Sequence, residues 1–169
     1  MKAFASLVQL LGNATGTLEK LHALSHYFST AHPKDKVWVI AIFSGRRPKR
    51  TISTTQLKQW CIESTALQEW LFEECYHTVG DLAETIGLLL PPAVSHTEDL
   101  PLHYYIDKLI QLQNEEDEQK KKFITQVWQT LERDELFVFN KLITGGFRIG
   151  VSQKMMVNAL AKATELDAS

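Results

Sequence analysis

Residues 37–43 read Val-Trp-Val-Ile-Ala-Ile-Phe, VWVIAIF. The state of this run decides the fold class. Its β-branched residues suit a strand, but a strand needs a partner to take up its backbone hydrogen bonds. No second run of that kind occurs in the chain, and elsewhere apolar residues recur at helical spacing. The run is therefore expected to be a central, fully buried helix. The fold is expected to be all-α, a compact bundle of about ten short helices.

Outward from this run, each apolar stripe marks one helix face. Phe4, Leu7, Val8 and Leu11 stand at i, i+3, i+4 and i+7, and Gln9 interrupts the apolar run. That is an amphipathic first helix rather than a signal peptide. Further stripes are Leu18, Leu21, Leu24 and Phe28; Leu57, Trp60 and Cys61; Leu67, Trp70, Leu71 and Cys75; and Leu82, Ile86, Leu89 and Leu90. Later come Leu102, Tyr105, Ile106 and Leu109; Phe123, Val127 and Leu131; Leu136, Phe139 and Ile143; and Met156, Ala159, Leu160 and Ala163. Ser53-Thr54, Asp81 and Ser152 are placed to cap helix starts, with Asp134 a lesser candidate. Gly45, Gly80 and Gly145-Gly146 stand where helices should stop. Residues 91–101 (PPAVSHTEDLP) form the longest link and divide the chain into two halves.

The chain has 169 residues, 44% apolar and 22% charged. These are ordinary values for a globular protein, and they exclude a disordered tail or a collagen-like chain. No apolar run reaches the roughly 18 residues of a membrane span. Cys61 and Cys75 are too few for a disulfide framework, so reduced, half-buried thiols in a cytoplasmic protein are expected. The net charge of −2 hides a segregation: residues 33–61 carry +6 and residues 62–135 carry −11. Four cations crowd into Ser44-Gly45-Arg46-Arg47-Pro48-Lys49-Arg50. Local fields of this kind, rather than net charge, decide whether a polyanion docks.

The second basic segment follows another glycine turn, Thr144-Gly145-Gly146-Phe147-Arg148, and leads to Ser152 and Lys154. Both turns run apolar residue, hydroxyl residue, glycine, cations and then a hydroxyl cap. The likeness suggests a degenerate internal duplication with two pseudo-symmetric halves. Glycine allows close backbone approach, and a helix start offers free N–H groups to an anion. Arg46, Arg47, Lys49, Arg50, Arg148 and Lys154 therefore make a candidate phosphate-reading surface, to be weighed against a pair of solvated basic loops. No cluster of aromatics sits between these cations, which favours duplex backbone contact over base stacking.

Other groupings read as structural. Glu116–Lys120, Asp117–Lys121 and Glu118–Lys122 are i, i+4 pairs of a solvated helix. His22 and His26 share the spacing of a zinc pair but lack a third ligand. Tyr104, Tyr105, Trp60, Trp70 and Trp128 are expected in the core. The chain contains no G-x-x-x-x-G-K-[ST], G-x-G-x-x-G or G-x-S-x-G, and no Asp-Gly dipeptide. It therefore lacks the known phosphate loops, the nucleophile elbow and the K-x-D-G nucleophile motif of nucleotidyltransferases. A free-standing ligase or hydrolase is not supported, and no catalytic residue or metal ligand is expected in this segment.

Residues 37–50 (VWVIAIFSGRRPKR), 70–90 (WLFEECYHTVGDLAETIGLLL) and 140–163 (NKLITGGFRIGVSQKMMVNALAKA) resemble the N-terminal DNA-binding domain of ATP-dependent DNA ligases, most closely those of bacteria. The likeness covers most of the chain and is weakest over 91–135. It implies an all-helical domain, residues 1–169, with a subdomain division near 91–101. It also implies contact with the minor-groove side of nicked duplex, so that downstream adenylation and oligonucleotide-binding domains can encircle it. Carried over by position, the contacts are Arg46, Arg47, Lys49, Arg50, Gly145, Gly146, Arg148, Gly150, Ser152 and Lys154.

The resemblance places the nucleophilic lysine, the ATP site and the magnesium ligands downstream, so no cofactor is expected here. The chain ends just after its last helix, as an excised domain or a fragment would. The implied partners are nicked double-stranded DNA and the remaining catalytic domains of the same ligase, with the protein a monomer and no membrane involved. The implied setting is bacterial cytoplasm at the nucleoid, in DNA repair, replication and recombination. The alternative from another class is a helical protein-interaction or scaffold domain that works through its acidic central surface.

Overall fold

A computed structural model describes residues 1–46, 49–94, 98–147 and 149–164. The fold is all-α. Its helices are α1 (Lys2–Asn13), α2 (Thr17–Thr30), α3 (Pro33–Phe43), α4 (Thr54–Thr65), α5 (Glu69–Val79), α6 (Leu82–Leu89), α7 (Leu102–Gln111), α8 (Asp117–Trp128), α9 (Arg133–Thr144) and α10 (Gln153–Thr164). A single 3-10 turn, Leu112–Asn114, follows α7. No strand occurs among the described residues. Two compact units form: unit 1 from Met1–Arg47, Leu100–Tyr104 and Gly146–Ser169, and unit 2 from Pro48–Asp99 and Tyr105–Gly145. Each unit draws on both halves of the sequence, so the repeat of turn motifs is not a repeat of units.

In unit 1, α2 packs against α1 and α10. The stripe of α1 is buried as read, with Phe4, Leu7, Val8 and Leu11 all under a tenth exposed. Phe4 meets Phe43 and Phe147 at ring-centroid distances of 6.2 and 5.7 Å, and the latter two lie 6.3 Å apart. Leu24 and Phe28 of α2 are buried, but Leu18 is 80% exposed. At about 100° per residue Leu18 points about 100° off their face, from the first turn of the helix.

The run 37–43 is helical, but it is not fully buried. Asp35, Val39 and Ile42 are enclosed, whereas Val37 is 65% exposed. Two residues span about 200° on a helix, so burying Val39 turns Val37 outward. The buried Asp35 carboxylate accepts from the backbone N–H groups of Leu102 (3.3 Å) and His103 (2.8 Å), and pairs with His103 Nδ1 at 2.7 Å. A side chain of α3 thus caps the start of α7.

In unit 2, α6 lies against α9, α4 and α5, and α8 against α4. Ile86, Phe139, Ile124, Leu57 and Phe72 are fully enclosed. Tyr105 and Phe123 each meet the Phe139 ring edge-on, at 5.8 and 6.4 Å. Trp128 Nε1 donates to the buried Asn140 Oδ1 at 2.9 Å. Trp60, Tyr105 and Trp128 are core residues as expected, but Trp70 is 62% exposed. Ala66 takes a left-handed conformation (φ 53°) that ends α4, and α5 begins only at Glu69. Leu67 therefore lies outside α5, and the phase of α5 is set by Phe72 rather than by the Leu67–Trp70 stripe.

The starts of α6 and α10 are capped as read. Asp81 accepts from Glu84 N–H at 3.0 Å, and Ser152 from Met155 N–H at 3.1 Å. Ser53 is the cap of α4, in a capping box with Gln56, and Thr54 is the first helical residue. Glu132 rather than Asp134 sits at the start of α9. The expected i, i+4 pairs of α8 are replaced. Lys121 reaches Glu63 of α4 at 2.5 Å, and Lys120 pairs with Asp117 at 3.5 Å. Glu116 precedes the helix, which removes it from the helical register. Cys61 is fully buried, Cys75 is half-buried, and both are free thiols.

Candidate nucleic-acid interface

The first basic turn starts where α3 is closed by two bonds. Arg46 N–H donates to Ala41 O (2.8 Å) and Gly45 N–H to Ile42 O (3.0 Å), with Gly45 at φ 77°. This is the Schellman arrangement, in which glycine supplies the left-handed residue. It satisfies the last carbonyls of α3 and leaves Arg46 exposed in unit 1. Arg47 and Pro48 lie outside the described residues. In unit 2, Lys49 and Arg50 are exposed, and Arg50 Nη2 donates to Thr144 O at 3.4 Å. Thr51 Oγ1 donates to Leu109 O at 3.1 Å and fixes the backbone just beyond.

The second turn begins at the end of α9. Gly145 N–H closes the helix onto Lys141 O at 2.8 Å, with φ 81°. Gly145 belongs to unit 2, and Gly146 begins the unit 1 segment. Arg148 lies outside the described residues. Gly146 and Gly150 are exposed at φ 83° and 62°. In unit 1, the Lys20 ammonium of α2 donates to Ile149 O at 2.8 Å. A Cβ on Gly150 would stand 2.9 Å from that ammonium. Ser152 accepts from within α10, which leaves its hydroxyl hydrogen to donate outward. Lys154 is exposed on the first turn of the same helix.

Of the sequence-derived contacts, unit 1 therefore holds Arg46, Gly146, Gly150, Ser152 and Lys154, and unit 2 holds Lys49, Arg50 and Gly145. Lys20 is an additional cation that sequence reasoning missed. It is a solitary lysine 129 residues from the carbonyl it binds, and only the packing of α2 on α10 brings it there.

Unit 2 also holds a polar cleft of about 350 Å³ that runs from Thr54 and Lys58 past Glu73 and Asp81 to Lys141, Thr144 and Gly145. Its lysines are already neutralised. Lys58 pairs with Glu69 at 2.9 Å and with Glu73, and Lys141 pairs with Asp81. The bonds to Glu73 and then to Glu69 hold the Lys58 ammonium above its ordinary range. This cleft has no uncompensated positive charge to offer an anion. His22 and His26 are both exposed. No group of three metal-ligating side chains occurs among the described residues.

The family described as DNA ligase N terminus matches residues 1–161. The chain belongs to that family. It is an N-terminal domain of an ATP-dependent DNA ligase. No curated protein matches the chain. The ligase domain has no helix, among its described residues, long and apolar enough to cross a membrane.

Proposed function

We propose that this ligase domain is a non-catalytic DNA-binding module. It grips the sugar-phosphate backbone of nicked duplex from the minor-groove side and holds it for end joining by downstream adenylation and oligonucleotide-binding domains. Those domains bring the ATP and magnesium chemistry. Recognition is independent of sequence, because exposed guanidinium, ammonium and backbone N–H groups read phosphates rather than base edges.

The observation that supports this most is the bond from Arg50 to Thr144 O, which joins the first basic turn to the end of α9 across 94 residues of sequence. The membership of the ligase family supports it from a second side. The test is a titration of labelled nicked and intact duplex at two salt concentrations, with an Arg46→Ala/Arg47→Ala/Arg148→Ala variant alongside. Binding that weakens with salt and is lost in the variant is expected. Undetectable or salt-insensitive binding overturns the proposal.

A further inference from the structure

Helices α5 and α6 of unit 2 contribute none of the cations in the two basic turns. Between them lies an open groove of about 300 Å³, walled by Cys75, Thr78 and Val79 of α5 and by Leu88 and Leu89 of α6. Leu88 is 47% exposed. One turn before Cys75 on the same face stands Leu71, also exposed, and beside it Trp70. An exposed apolar strip of this length on a folded domain marks a place where something docks.

The charges around the groove select what docks. Residues 69–90 contain Glu69, Glu73, Glu74, Asp81 and Glu84 and no Lys or Arg. Lys58 takes Glu69 and Glu73, and Lys141 takes Asp81. Glu74, which lines the groove, and Glu84, one turn from Leu88, have no ion-pair partner among the described residues. Two free carboxylates flanking apolar walls repel phosphate and attract cations.

We propose that the α5–α6 groove docks a basic amphipathic helix of another protein. Its apolar side chains at i, i+3 and i+4 enter the groove, and its Lys or Arg residues meet Glu74 and Glu84. A second copy of this chain, groove to groove, sets the same carboxylates against each other, which disfavours a two-fold dimer through this face. The inference does not rest on duplex binding and stands or falls separately from it.

The groove contains its own reporter. Cys75 is half-buried in its wall, whereas the Cys61 thiol is enclosed and pushed up to about 12 by burial, so alkylation reads Cys75. The probe is a synthetic helix with Leu at i, i+3, i+4 and i+7 and Lys elsewhere. One control shuffles the same residues to destroy the stripe, and another replaces Lys with Glu. The basic amphipathic peptide is expected to slow Cys75 alkylation saturably by about tenfold or more, and the controls are not.

Leu88→Asp and the double change Glu74→Lys/Glu84→Lys should each weaken that peptide by about tenfold. Both glutamates are exposed, so the double change decides even where Leu88→Asp impairs folding. Equal protection by the shuffled peptide, protection by none, or indifference to charge reversal overturns the proposal. Protection that rises with protein concentration alone also overturns it, by making a second copy the occupant.

Discussion

Replacing Arg46 and Lys49 with alanine should change how duplex affinity responds to salt, not merely its value. Both side chains are exposed, and neither has a partner among the described residues, so the fold is left intact. Lys20, Arg46, Lys49, Arg50 and Lys154 are the described cations in or beside the two turns. If five phosphates are neutralised, log K falls with log salt at a slope of about −4.5. Raising salt from about 50 to about 200 mM then weakens binding about 500-fold. Removing two contacts leaves a slope of about −2.7, and the same salt step weakens binding only about 40-fold. Arg50 is spared because its guanidinium also bonds Thr144 O, which would mix structure with charge. Fluorescence anisotropy of a labelled nicked duplex at several salt concentrations measures both slopes. A variant slope equal to that of the parent protein, or an equal loss at every salt, refutes phosphate neutralisation by these residues.

Asp35→Ala should destabilise unit 1 by about 3 kcal/mol, the sum of a lost helix cap and a buried N–H left without an acceptor. That corresponds to a drop of about 6–12 °C in Tm by circular dichroism. Asp35→Asn, which keeps an acceptor oxygen, should lose about half as much; equal stability of all three proteins would refute the capping role. In alkaline solution the folded domain should weaken. Burial raises the Cys61 thiol to about 12, and burial together with the Asp35 carboxylate raises the Tyr27 phenol further still. Both groups are neutral when folded, so their contribution is complete below their unfolded values and is lost as pH rises through the folded ones. A urea midpoint that falls steadily above about pH 9 is the expected result.

Much of the fold was legible because the apolar period of each helix survives in the chain. The α1 stripe and the Leu102, Tyr105, Ile106 and Leu109 face of α7 are buried as spaced. The failures have one physical cause. Periodicity reports a face within a helix, but not where the helix begins or how wide its neighbour is. The left-handed Ala66 resets the phase ahead of α5, so Trp70 faces out. The 37–43 run of α3 is apolar all round, but Val39 and Ile42 take the enclosed face, so Val37 faces out. Lys121 had two carboxylates within helical reach, Asp117 and Glu118, and took Glu63 on another helix instead. For the interface, the cations Arg46, Lys49, Arg50 and Lys154 were legible as a local excess of charge. The bond of Arg50 to Thr144 and the position of Lys20 were not, because each depends on packing between segments far apart in sequence.

The pairing of the carboxylates follows the same geography. The polar cleft of unit 2 contains Thr144 and Gly145, and therefore abuts Arg50. It also contains Glu73 and Asp81. An unpaired carboxylate about 4 Å from a phosphate costs about 4 kcal/mol at a surface dielectric, enough to cancel a good cation contact. Both of these carboxylates are neutralised by lysines of the same unit, and the bonds to Glu73 and Glu69 hold the Lys58 ammonium above its ordinary range. Glu74 lines the apolar groove instead, and Glu84 stands one turn from Leu88 of its wall. At about 150 mM salt the screening length is about 8 Å, so each field acts only on what touches it. On the proposed reading, a domain with a net charge of −2 meets a polyanion at its glycine turns and a cationic helix at α5–α6, because the two carboxylates of the cleft beside Arg50 are paired with Lys58 and Lys141.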